Sequence, residues 1–245
     1  LYAIPASRQW LDFMADQQIA VIVGAGAGLS ASLARKFSGE GMKVALAARD
    51  AAKLADLVAE VDGQAYTCDT ADPASVQALF SSVIADLGVP EVVVFNASRR
   101  VRGEITEIDP DEVREAILTT CYGGFLVGQE AAKVMLLAGH GTIMFTGASA
   151  GVKGFPKSAT FAMGKFGLRG LAQSMARELH PQNIHVVHVV VDGGIRSEER
   201  DRIDGRGDDG WLLPDAIADT YYHLHMQHRS SWSWEIEVRP WTEGF

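Results

Sequence analysis

Positive charge is in short supply in this chain. Its 245 residues hold 22 Lys and Arg against 31 Asp and Glu, a formal net charge of −9. A chain of that sign has no general attraction to nucleic acid or to anionic membrane surfaces, so neither is expected as a partner. Cysteine is scarcer still: Cys68 and Cys121 are the only two and lie far apart. No metal-ligand spacing involves them, and two free thiols in a reducing cytoplasm are expected rather than a disulfide framework. No apolar run approaches the roughly 18 residues that span a bilayer. No signal-peptide pattern opens the sequence, which starts at Leu1, and a cytoplasmic location is the expectation. Linkers, low-complexity tracts and internal repeats are missing too, apart from a steady alternation of short apolar runs with helical patterns.

What is present is the composition of a globular domain, 47% hydrophobic and 22% charged, with ample material for one core. Residues 1–17 read as an appendage in which Trp10, Leu11, Phe13 and Met14 can share one helical face. Strands are expected at about 18–23, 43–48, 65–68, 91–95, 141–145, 184–191 and 234–238, with helices between them. Asp50 and Asp72 stand where caps belong, Pro73 suits a first turn, and one long helical pattern runs from about 111 to 138. Most strands are continuous apolar runs. That argues a doubly wound α/β domain over 18–245, its seven-stranded sheet mostly parallel and covered by helices on both faces.

The chain is organised around Val21-Ile22-Val23-Gly24-Ala25-Gly26-Ala27-Gly28-Leu29-Ser30. A buried strand that feeds a Gly turn and a helix start makes a phosphate cradle, because backbone can approach the ligand and the helix offers unpaired N–H groups. No Gly-Lys-Ser/Thr follows, which argues against an ATPase.

With Asp69 after the third strand, Asn96-Ala97-Ser98 after the fourth and Lys165 in the helix after the fifth, the chain resembles the short-chain dehydrogenase/reductase superfamily over about 18–240. The resemblance implies a single Rossmann domain that binds a nicotinamide dinucleotide. It implies cofactor contacts at Gly24, Gly28, Leu29, Ser30, Arg49, Asp69, Asn96, Ala97, Lys165 and Gly193. The family's phosphate turn, Thr-Gly-x-x-x-Gly-x-Gly, is met at Gly24 and Gly28 but not at Val23 and Ser30. The Ser30 hydroxyl could bond a phosphate oxygen, or its bulk could loosen the grip. Ala48 stands where NAD users often carry an acid, followed by Arg49, whose guanidinium could pair with a 2′-phosphate. NADP(H) is therefore expected over NAD(H); the plain alternative for Arg49 is a solvated charge.

The family's catalytic set is largely missing. Phe161 stands at the Tyr position, four residues before Lys165, and a phenyl ring has no proton to give. Ala148 stands at the Ser position, with Ser149 beside it as a weak substitute, and the Asn position falls near Thr120. Only Lys165 is retained. It can hold the nicotinamide ribose, act as the acid/base with a lowered pKa, or be a solvated helix lysine. Together with Phe145-Thr146-Gly147-Ala148 and Arg239-Pro240-Trp241, these departures resemble a divergent branch of the superfamily with Phe in place of Tyr.

Other residues carry less. His223, His225 and His228 do not complete a metal site, and no metal is expected. His185 and His188 point to opposite faces of one strand. Cys121 reads as a structural thiol. Arg99, Arg100 and Arg102 leave the fourth strand near the crevice, as an anion contact or a solvated loop. Asp192 before Gly193 reads as a turn cap or a proton acceptor. Residues 195–213 suit a short polar lid. By analogy with the family, a homodimer or homotetramer is expected. Two functions follow: hydride transfer on a small carbonyl or alcohol, or a catalytically silent dinucleotide-binding protein acting by binding or assembly.

Overall fold

The computed structural model describes residues 17–197 and 210–242. The expected appendage, and the middle of the expected lid, lie outside the described residues. Seven strands form one sheet: β1 (Ile19–Val23), β2 (Lys43–Ala48), β3 (Gln64–Thr67), β4 (Val92–Phe95), β5 (Gly141–Thr146), β6 (Ile184–Val191) and β7 (Glu235–Val238). Their order is β3-β2-β1-β4-β5-β6-β7, and every neighbouring pair is parallel. The expected "mostly parallel" sheet is thus wholly parallel.

Helices cover both faces because the central strands are apolar on both. On one face Val21, Val93, Phe95, Ile143 and Phe145 pack with α3 (Pro73–Asp86), α5 (Gly123–Ala138) and α6 (Ala159–Leu179). On the other, Ala20, Ile22, Val94, Met144 and Val187 pack with α1 (Leu29–Gly39), α2 (Ala55–Val61) and α7 (Pro214–His225). Alternate residues of one strand serve opposite cores, as the strand's period of two requires. Among the described residues no helix is long and apolar enough to cross a membrane.

The expected helix starts are met in part. Asp72 caps α3 by accepting the Ala74 N–H at 3.0 Å, with Pro73 in the first turn. Asp50 makes no such cap; a 3-10 turn, Ala51–Leu54, precedes α2, and the carboxylate sits 3.3 Å from Lys53 Nζ instead. The single helix expected over 111–138 is α4 (Pro110–Ile117), a turn of π-helix over Leu118–Tyr122, and then α5. The π turn adds one residue to a turn of an otherwise continuous helix, and no local residue pattern marks it. The π turn buries Thr120, whose Oγ1 accepts the Arg99 N–H at 3.1 Å. It thereby joins this helix to the loop leaving β4.

Candidate active site

Strand order reverses between β1 and β4, so their carboxyl ends open a crevice, the place where sheets of this type bind ligands. Gly24 turns away from β1 at φ +86°, and a Cβ on it would lie 2.4 Å from the Ala97 backbone nitrogen. Only glycine fits that approach. The buried Ser30 hydroxyl donates to the Gly24 carbonyl at 3.0 Å and accepts from Asn96 Nδ2 at 2.7 Å. The Ser30 proton is thus spent on the turn. Ser30 and Asn96 brace the loop from behind. No side chain caps α1, and Gly28 and Leu29 at its start line the crevice. A tight glycine turn beside an uncapped helix start fits a pyrophosphate.

Two cavities, of about 1190 and 750 Å³, share Asn96 and Ser98 in their walls. The smaller runs from the Gly24–Ala27 turn to Arg49, Cys68 and Thr70. Arg49 is exposed and makes no ion pair among the described residues. Nearby Arg35, by contrast, is gripped by both oxygens of Glu60 at 2.6 and 3.0 Å. Asp69 is turned to local structure: its carboxylate accepts the Ala71 N–H at 3.0 Å, while its neighbours Cys68 and Thr70 form the wall.

The larger cavity holds Lys165, Phe161, Ala148, Ser149 and Gly193 together. Lys165 is 2% exposed, so it is not a solvated helix lysine. Its ammonium donates to the Thr146 carbonyl at 2.7 Å, and burial pushes its pKa down from 10.5 to about 8. The Thr146 hydroxyl in turn bonds the buried Tyr221 hydroxyl of α7 at 2.8 Å. Phe161 lies between two cations, with Lys165 Nζ 5.8 Å and Arg100 Cζ 5.0 Å from its ring centroid.

Asp192 is neither a turn cap nor a free proton acceptor. Burial pushes its carboxyl up, but hydrogen bonds from Ser149 and Lys153 and the charges of Lys153 and Arg239 outweigh this and hold it below its usual range. Lys153 Nζ is 3.3 Å from its Oδ2, which Arg239 also contacts. Gly193 follows at φ +156°, where a Cβ would lie 2.7 Å from Pro240 Cδ.

Behind the floor, His188 is fully buried and pairs across the sheet with Glu235, Nδ1 to Oε2 at 2.9 Å. Arg169 grips the same carboxylate at 2.6 and 2.7 Å. Burial lowers the pKa of His188, only partly opposed by Glu235, and leaves Nε2 without a partner beside Gly147. His185 keeps other company, stacked at 4.6 Å on Trp232. His225 bonds Thr142 at 3.0 Å, His228 pairs with Ser230, and His223 is exposed. The Cys121 thiol lies against Gly167, and burial raises its pKa.

A profile of the family "short chain dehydrogenase" matches residues 18–204. The chain belongs to the short-chain dehydrogenase family. Among relatives of this oxidoreductase family, a short-chain dehydrogenase from Rhodopseudomonas palustris is 36% identical, with a TM-score of 0.80 over 91% of this chain and 99% of that one. A metagenomic short-chain oxidoreductase solved in complex with NADP is 30% identical, with a TM-score of 0.78 over 91% of this chain and 97% of that one. D-threitol dehydrogenase of Mycolicibacterium smegmatis is 27% identical over 71% of this chain and 69% of its own length. Within this short-chain dehydrogenase, sequence reasoning missed the partners of the site residues: Thr146 and Tyr221 beneath Lys165, and Glu235 and Arg169 behind His188. They come from distant elements and carry no local motif.

Proposed function

We propose that this chain binds NADP(H) and moves a hydride between that cofactor and a small carbonyl or alcohol, with Lys165 the one retained member of the family's catalytic set. The observation that carries the reading is the buried Lys165 ammonium, 2.7 Å from the Thr146 carbonyl, on the wall of a cavity that meets the glycine turn. The nicotinamide, when bound, supplies or accepts the hydride.

Everything else falls to this chain. Gly24, Gly28 and Leu29 hold the pyrophosphate, with Ser30 and Asn96 keeping the turn in shape. Arg49 pairs with a 2′-phosphate; its lack of a carboxylate partner among the described residues and the NADP held by the metagenomic relative support that choice. Lys165 holds the ribose and, with a pKa near 8, exchanges a proton at neutral pH. Phe161 and Ala148 offer no hydroxyl, so the substrate oxygen takes its proton from Lys165 or through water.

The second reading, a silent dinucleotide-binding protein, draws on the same Phe161. Fluorescence titration is expected to show NADPH binding tighter than NADH, and equal or reversed affinities remove the cofactor choice. A carbonyl screen then separates the two functions. Turnover that Lys165→Ala abolishes supports the enzyme; turnover that appears only in Phe161→Tyr supports the silent protein. We also infer a homodimer or homotetramer in the cytoplasm, from exposed Phe125 on α5 and Met163 and Phe166 on α6 and from the two free thiols. A monomeric mass at micromolar concentration would refute the assembly.

A further inference from the structure

Tyr221 of α7 is the largest fully buried side chain among the described residues. It shares an apolar core with Ile22, Val94, Met144 and Val187 of the sheet. A phenol in such a place is costly unless its hydroxyl is bonded, and phenylalanine would fill the same space without that cost. Among the described residues the hydroxyl has one hydrogen-bond partner, Thr146 Oγ1 at 2.8 Å.

Thr146 is the last residue of β5, and β4 ends opposite Phe145, one residue short of it. The Thr146 carbonyl accepts instead from Lys165 of α6 at 2.7 Å. The other end of the same peptide, the Gly147 N–H, donates to the Val189 carbonyl of β6 at 2.7 Å. That bond alone would leave the peptide a hinge; the Thr146 side chain, bonded to Tyr221, supplies a second hold. A second tie joins α7 to β5, His225 Nδ1 to Thr142 Oγ1 at 3.0 Å. The two ties are four residues apart on both elements, and only the Tyr221 tie is at the end that carries Lys165. His188 of β6 and Arg169 of α6 are both taken by Glu235, and neither bonds Tyr221 or Thr146.

We propose that Tyr221 is a positioning residue for Lys165: its hydroxyl fixes the Thr146 side chain, and with it the peptide whose carbonyl holds the lysine ammonium at the cavity wall. The proposal rests on the reading of Lys165 as the group that exchanges a proton in this cavity. It gives α7, a helix that contributes no side chain to the reaction, a hold on the protonation of the one retained member of the catalytic set.

The test uses the full chain without cofactor, labelled with carbon-13 at the lysine ε-carbons and titrated by NMR from about pH 6 to 10. The Lys165 resonance is the one lost in Lys165→Met, and its midpoint is expected near pH 8. A hydrogen bond to the ammonium favours the charged form, so loosening the carbonyl lowers the midpoint. Tyr221→Phe is expected to lower it by about half a pH unit, about threefold in the protonation equilibrium, and Thr146→Val by the same amount. The double variant is expected to go no lower than either single one, because the two residues act as a unit. Thr146→Ser keeps the hydroxyl and is expected to keep the parent's midpoint. Thr142→Val cuts the other tie of α7 and is expected to lower stability to urea but leave the midpoint in place, which separates positioning from general loosening. An unmoved midpoint in Tyr221→Phe, an equal fall in Thr142→Val, or additive falls in the double variant overturns the proposal. If Tyr221→Phe does not fold, Thr146→Val set against Thr142→Val decides alone. NADPH titration of the parent judges the dehydrogenase reading separately: absent binding removes that reading, while the midpoints still decide the role of Tyr221.

Discussion

Replacing Lys165 by methionine keeps the length of the side chain and removes the charge. Lys165 is buried, and burial takes its pKa from 10.5 to about 8. That drop corresponds to about 3 kcal/mol of preference for the neutral form in the folded state. The folded pKa is the lower one, so between about pH 8 and 10.5 the unfolded chain holds more protons than the native chain, and stability rises with pH across that window. Below pH 8 the protonated lysine costs the fold the full amount. Methionine removes this cost but leaves the Thr146 carbonyl without its 2.7 Å donor, a loss of about 1–3 kcal/mol that does not depend on pH in this range. Lys165→Met is therefore expected to be as stable as the parent, or up to ~2 kcal/mol more stable, at pH 7. Relative to the parent it should lose about 3 kcal/mol between pH 7 and 10.5. Urea unfolding of both proteins without cofactor, at steps of pH from 7 to 10.5, reads this directly. Parallel stability curves, or a mutant deficit at pH 7 larger than at pH 10, would refute the reasoning. A residue whose removal stabilises the fold is retained for function, so the same variant should lose turnover and weaken NADPH binding.

Gly24→Ala puts a side chain into a left-handed backbone and against the Ala97 nitrogen. It should cost at least about 1–2 kcal/mol of stability and weaken NADPH binding more than it lowers Tm in proportion; unchanged binding would mean that the turn does not hold the cofactor. Arg49→Ala should weaken NADPH binding by about tenfold, the worth of one charge-assisted contact, and leave NADH binding within a factor of about two. A fluorescence titration with both cofactors checks this, and equal losses for the two would return Arg49 to the solvated surface.

Much of the fold was legible because apolar runs and their spacing report burial and local period. β2 and β6 fall on the expected runs to the residue, and the other strands within one or two. The Asp72–Pro73 start of α3 follows from backbone chemistry that depends on a few consecutive residues. The glycine turn was legible for the same reason. The π turn at Leu118–Tyr122 was not, since it interrupts a continuous helix with no capping or breaking residue to mark it.

The sequence by itself determined the alternating architecture, the position of the glycine turn and the survival of Lys165 beside Phe161. Only the tertiary structure decided what those side chains do. Ser30 donates to Gly24 and accepts from Asn96, 66 positions away. Thr146 under Lys165 is tied to Tyr221, 75 positions on. Asp192 meets Lys153, 39 positions back, and Arg239, 47 positions on. Arg99 is neutralised while Arg102, three residues later, faces the cavity. Local pattern encodes which residues are buried and with what period. The protonation, hydrogen-bond partner and free charge of each group are set by whatever the fold brings against it, and those neighbours lie far along the chain.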